Sequence, residues 1–125
     1  MDQLLQQSKE ILEKAIRDYS AYAQVVMFSG GNDSRLAYWV MKALDYAPDA
    51  LVHGVTGTGI QECHEYCGQF AAANNERLIL ADYGAGESYR RRLLEKGWFG
   101  RGLKAHMMAY HILKNRPFRV AISQH

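Results

Sequence analysis

Ser29-Gly30-Gly31-Asn32-Asp33-Ser34 is the stretch of this 125-residue chain whose residue types and spacing point most directly to chemistry. Adjacent glycines let the backbone turn where other residues cannot, and they leave no Cβ between the amides and an incoming anion. If a helix follows, its unpaired N–H groups and positive dipole end complete a seat for phosphate or sulfate, to which Ser29 and Ser34 add hydroxyl donors. Asp33 would repel a bare phosphate. A shared magnesium ion resolves that conflict and makes Asp33 the candidate metal ligand. The loop lacks the terminal Gly-Lys-Ser or Gly-Lys-Thr of the Walker type. For a bare Gly-Gly the competing reading is a plain turn with Asp33 or Ser34 capping the helix.

Other reactive side chains are scattered. Cys63 and Cys67, with His64 beside them, share a helical face, but a tetrahedral metal site needs more ligands. Ile60, Cys63, Cys67, Phe70 and Ala71 also form an apolar stripe, so core packing is the favoured reading, with a redox or metal role as the alternative. Arg90, Arg91 and Arg92 are consecutive and fan around a helix, which fits a solvated face; one or two of them could reach an anionic ligand through bidentate guanidinium bonds. Arg101 and Lys104 flank a glycine-rich turn before a helix, a second possible anion seat. His106 adjoins the stripe Leu103, Met107, Tyr110 and Leu113, where a packed histidine and a catalytic one are both open readings. His53, His111 and His125 show no ligand spacing with it, and no HExxH arrangement exists, which argues against catalytic zinc.

The elements that must hold these groups alternate. Residues 2–22 read as an amphipathic helix, 24–28 as a buried strand stopped by glycines, and 36–44 as a buried helix, apolar nearly all round. Strands are expected at 51–55 and 77–81, helices at 61–73, 87–96 and 103–115 with Pro117 beyond the last, and a final strand at 118–123. This alternation predicts an α/β fold: a three-layer, Rossmann-like parallel sheet of about four to five strands with helices on both faces, in one domain. Ligands then bind at the carboxyl ends of the strands, where the 29–34 loop sits. A final strand at a sheet edge would leave backbone groups that a second copy or a partner chain could pair.

Composition is that of an ordinary globular chain, 48% hydrophobic and 22% charged, which excludes a disordered or fibrous class. The net charge of +2 points to no polyanionic partner, but it is unevenly spread. Residues 1–76 carry −5 and residues 77–125 carry +7, so the second half is where an anion would be held. Two cysteines, a polar amino terminus and no long apolar run lead to the expectation of a reduced, cytoplasmic, soluble protein.

The 29–34 string, in its strand-loop-helix setting, resembles the SGGxDS pyrophosphate loop of the PP-loop adenine nucleotide α-hydrolases, which include N-type ATP pyrophosphatases and phosphoadenosine phosphosulfate (PAPS) reductases. Thr56-Gly57-Thr58-Gly59-Ile60, with Glu62 and Tyr66, resembles the second-strand segment of the reductase branch. Gly97-Trp98-Phe99-Gly100, His106, Tyr110 and 113–117 are similar to a segment of reductase-like proteins of phage and mobile-element type. The resemblance spans roughly residues 24–120.

What it implies is an adenine nucleotide, ATP or a sulfonucleotide such as PAPS or APS, held with magnesium by Phe28, Ser29, Gly30, Gly31, Asn32, Asp33, Ser34, Thr58, Gly59 and Arg92. Asp33, Lys104 and His106 are the candidate catalytic residues. The implied reaction is cleavage between the α and β phosphates to adenylylate an acceptor, or handling of a sulfonucleotide. The alternative is a non-catalytic nucleotide-binding subunit or split half of a larger enzyme, as in a nucleic-acid modification system. Asn32 stands where many members have lysine, and no cysteine follows Cys67 to supply the reductases' nucleophilic thiol. The family's further elements lie beyond where this chain stops, as a minimal member or a fragment would. Gly30→Val in a folded protein is expected to lower nucleotide affinity.

Overall fold

The computed structural model describes residues 2–82 and 88–124. Glu87, where a helix was expected to begin, and His125 lie outside the described residues. Helix α1 (Asp2–Asp18) precedes β1 (Val25–Met27), α2 (Asn32–Ala43), β2 (Ala50–Val55), α3 (Gln61–Ala73) and β3 (Leu78–Asp82). Helix α4 (Ser88–Lys96) follows, then α5 (Leu103–Tyr110), a π-turn (His111–Asn115) and α6 (Arg116–Ser123).

The three strands form a parallel sheet in the order β1-β2-β3. Val26 pairs with Leu51, and His53 with Leu80. Side chains alternate across this sheet, and each face meets helix. Val26, Phe28 and Leu51 pack with Tyr38 of α2 and Cys67 and Ala71 of α3. Ala50, Val52, Ile79 and Ala81 pack on the other face with Ala121 and Phe118 of α6. Parallel strands joined in sequence order by right-handed crossovers put both connecting helices on one side, so the second face has to be covered by chain from elsewhere. Gly54 makes room for that cover: a Cβ there would meet Phe118 Cζ at 3.1 Å.

Three expectations need correction. The segment 118–123 is helix, so the sheet has three strands among the described residues and no terminal edge strand. Read with period two, Phe118, Val120 and Ile122 looked like one strand face. In the fold Pro117, Phe118 and Ala121 face the sheet at helical spacing, while Val120 and Ile122 are exposed. Short apolar runs do not distinguish the two periods. Second, the helix entered at 103 does not stop before Pro117. Backbone angles stay helical through the π-turn into α6, because a widened turn accommodates a residue that has no N–H to donate.

Third, α2 is not a buried helix. Tyr38 is its one buried residue, and Leu36 and Trp39 are 63% and 49% exposed. It lies against β1, an edge strand, and has sheet on one side only. Tyr38 anchors it. The phenol donates to Glu76 Oε1 at 2.8 Å, and Lys42 Nζ reaches the same oxygen at 3.2 Å. Burial, and then the hydrogen bond and charge of Glu76, push the Tyr38 hydroxyl up to about 12. No helix among the described residues is long and apolar enough to cross a membrane.

Candidate functional site

The loop after β1 turns on Gly30, whose φ of +82° lies in the left-handed region that favours glycine. Space is as restrictive as angle there. A Cβ on Gly30 would lie 3.0 Å from Tyr66 Cδ1 and 3.2 Å from Cys67 Sγ, so the bend is seated directly on α3. Gly31 returns to extended backbone (φ −78°, ψ 171°) and precedes α2 without any side-chain cap.

Within the loop the hydroxyls bond to each other. Ser34 Oγ donates to Gly31 O at 3.1 Å, Gly31 N–H donates to Ser29 Oγ at 3.3 Å, and the two hydroxyls lie 3.2 Å apart. Because Ser34 gives its hydrogen to the carbonyl, Ser29 is the donor across that pair. Gly31's amide is therefore already used. The first intrahelical bond is Arg35 N–H to Gly31 O, which leaves the amides of Asn32, Asp33 and Ser34 as the outward donors of α2. Asp33 is exposed in that first turn, and no group of three or more potential metal-ligating side chains occurs among the described residues. A magnesium ion here would take one carboxylate from Asp33 and the rest of its oxygens from phosphate and water.

One cleft reaches this loop at Ser29, and a second adjoins the first. One is lined by Met27, Phe28, Ser29, His53, Gly54, Lys114 and Phe118. The other is lined by Thr56, Thr58, His106, Ala109, Tyr110, Leu113 and Lys114. They adjoin at Lys114, which the π-turn carries and which has no hydrogen-bond or ion-pair partner among the described residues. A π-turn inside a longer helix often marks a functional position, because it redirects the side chains it carries. Thr58 N–H and Thr56 Oγ1 close a small turn at 3.3 Å after β2, with the two threonine hydroxyls 2.7 Å apart.

Of the residues singled out from the sequence, Phe28, Ser29, Thr58 and His106 line the two clefts, and Gly30, Gly31, Asn32, Asp33 and Ser34 form the adjoining bend. Gly59 is exposed in the turn beyond Thr58. Lys104 is exposed in the first turn of α5 and lines neither cleft. Arg92 is engaged within its own segment: its guanidinium lies 4.7 Å from the Phe99 ring centre, and Nη1 donates to Gly97 O at 3.2 Å. The cysteines separate, Cys67 buried under Gly30 and Cys63 exposed, so core packing describes only the first. Burial pushes the Cys67 thiol up, with Cys63 adding to the shift.

Sequence reasoning missed Lys114 as a site residue, although it singled out the surrounding segment, and it missed a pair of histidines altogether. His53 is 5% exposed. Its Nδ1 lies 2.8 Å from Phe28 O and its Nε2 lies 2.7 Å from His64 Nδ1. A buried polar residue inside an apolar strand was the available signal. Burial holds the His53 imidazole below its ordinary value of 6.5; the Phe28 hydrogen bond opposes this and His64 adds to it. An unfolded chain therefore binds more protons than the folded one in that range, and this contribution to stability is present above about pH 6.5 and is lost as pH falls through the lower folded value. The thermal midpoint is expected to decline on acidification from about pH 7 to about pH 5, with a shallower decline in His53→Asn; equal slopes in the two proteins would remove His53 from the account.

No family model, no curated protein and no solved structure matches this chain.

Proposed function

We propose that this chain binds an adenine nucleotide through its phosphates, as a PP-loop domain of the adenine nucleotide α-hydrolase type, closest to PAPS reductase-like proteins. The observation that carries the reading is a convergence at one end of the sheet. Ser29, Thr56, Thr58 and Lys114, which has no side-chain partner among the described residues, line one pair of adjoining clefts, and Ser29 leads through the bend into the uncapped start of α2. Amide donors, hydroxyls and a lysine suit a polyanion, and the strand ends are where parallel α/β sheets receive ligands. In this reading the sheet is the core of a Rossmann-like three-layer domain.

ATP with magnesium is the proposed ligand, with a sulfonucleotide as the related alternative. The amides of Asn32, Asp33 and Ser34 hold terminal phosphate oxygens, and Asp33 shares the magnesium ion, which supplies charge neutralisation when bound. Lys114, between the clefts, contacts the phosphate chain, and Thr58 and His106 line the cleft beyond it. An acceptor oxygen attacking the α-phosphorus forms the new P–O bond while the bond to the bridging oxygen breaks, and pyrophosphate leaves with that electron pair. One fixed donor aimed at charge developing on a leaving group can contribute about 3 kcal/mol. Homo-oligomerisation, a complementing chain and a nucleic-acid partner are secondary proposals, and the uneven charge of the chain is what favours the last.

Calorimetric titration of the full chain with ATP and magnesium, run beside a pyrophosphate-release assay, is the test. Saturable binding that weakens in Lys114→Ala supports the nucleotide seat. Release of pyrophosphate assigns turnover, and binding without release assigns a non-catalytic subunit. An absence of binding overturns the reading.

A further inference from the structure

The pair formed by buried His53 and half-buried His64 has no role in the nucleotide seat, and its hydrogen bonds define what it can do. A carbonyl oxygen can only accept, so His53 Nδ1 carries a hydrogen for Phe28 O and His53 Nε2 is left with a lone pair. That lone pair, 2.7 Å from His64 Nδ1, takes the second hydrogen bond, so His64 is the donor there. Both nitrogens of the inner ring are satisfied. Among the described residues, the one imidazole nitrogen of the pair without a partner is His64 Nε2, and it lies at the turn after β2: a Cβ on Gly59 would be 3.4 Å from it. Glycine at 59 leaves that nitrogen uncovered.

Such a pair holds one added proton and has one place for it. A proton on His64 Nε2 keeps both existing hydrogen bonds. With that proton in place, moving the shared hydrogen from His64 Nδ1 to His53 Nε2 would keep the hydrogen bonds but put the charge in the core, where burial disfavours it. From β1 the pair meets the Phe28 carbonyl, and from the turn after β2 it meets Gly59. From the long C-terminal helix, Lys114 borders the same cleft as His53 and opposes charge on the inner ring. On α3, Glu62, Cys63, Glu65 and Cys67 are close in sequence, Glu65 accepts from Gln61, and no carboxylate lies within ion-pair distance of either imidazole among the described residues. Nothing in this set neutralises a charge on His64.

The geometry points to a proton-gated oxyanion contact: His53 orients His64 so that His64 Nε2, when protonated, donates to a phosphate or sulfate oxygen of the bound nucleotide beside Gly59. This rests on the nucleotide reading above and names a further contact for it. His53 is a positioning residue, tying the contact through Phe28 O to the strand end from which the anion loop departs.

The test is the affinity for ATP with saturating magnesium at about pH 5.5 and about pH 8.5, which bracket histidine titration, in wild type and in His64→Asn. Asparagine retains a donor near the Nδ1 position and loses the outer nitrogen. Comparing two proteins with one ligand cancels the ligand's own titration. Wild-type affinity is expected to fall, between the two pH values, by about tenfold more than that of His64→Asn. Parallel behaviour of the two proteins overturns the contact while leaving the nucleotide seat standing, whereas absence of ATP binding in wild type overturns both. Long-range proton–nitrogen NMR of the free protein tests the pair by itself. One proton taken up at His64, with His53 neutral and protonated on Nδ1, is the expected result; charge appearing on His53 first overturns the relay whatever the ligand does.

Discussion

Gly30→Val is expected to lower the thermal midpoint by about 10 °C or more, a loss of about 3 kcal/mol. Two independent costs add. The residue sits at φ +82°, where a β-branched side chain is strained, and its Cβ would enter a space bounded by Tyr66 Cδ1 at 3.0 Å and Cys67 Sγ at 3.2 Å. Cys67 is fully buried, so it cannot move aside cheaply. A domain of ordinary stability holds only about 5–15 kcal/mol in total, which makes this a large fraction. Thermal denaturation followed by circular dichroism measures it, and a variant that melts with wild type would mean that the bend does not rest on α3. The same geometry changes what the substitution can report. A loss of nucleotide affinity in Gly30→Val follows from displacement of the bend on α3 as readily as from a blocked phosphate seat.

Asn32→Pro reads the seat itself. Proline is favoured at the first position of a helix, and the residue before it prefers extended backbone, which Gly31 already has at φ −78° and ψ 171°. The substitution therefore removes one amide donor from the start of α2 with little cost to folding. Losing one charge-assisted hydrogen bond to phosphate is expected to weaken ATP affinity by about tenfold or more, with the thermal midpoint within about 2 °C of wild type. Asn32→Ala, which retains the amide and loses only the side chain, separates backbone from side-chain effects. Equal affinities for the alanine and proline variants would show that this amide does not hold the ligand.

The glycine bend illustrates how far residue types alone carry an argument. Paired glycines between a strand and a helix announce a turn with accessible amides, and that turn is found between β1 and α2. Which amides stay open is a different matter, because Gly31's amide is taken by Ser29 Oγ and Gly30 is required by a neighbour 36 positions away in sequence, Tyr66. Lys114 belongs with the loop for a similar reason. Its segment was visible, but its approach to Ser29 and Thr58 depends on a π-turn in a helix that local rules would have ended at Pro117.

By itself the sequence determined the βα alternation through β3 and the position of the glycine bend between β1 and α2, because strand and helix periods are written in neighbouring residues and need only local geometry to be read. Tertiary structure decided the rest. Whether 118–123 lies on the sheet as a helix or pairs with it as a strand, whether His53 meets His64, and whether Lys114 reaches the strand ends are settled by which faces the crossovers leave uncovered and by the space left between packed elements. Contacts of that kind arise only when distant parts of the chain compete for the same buried surface, and no short stretch of residues records the outcome.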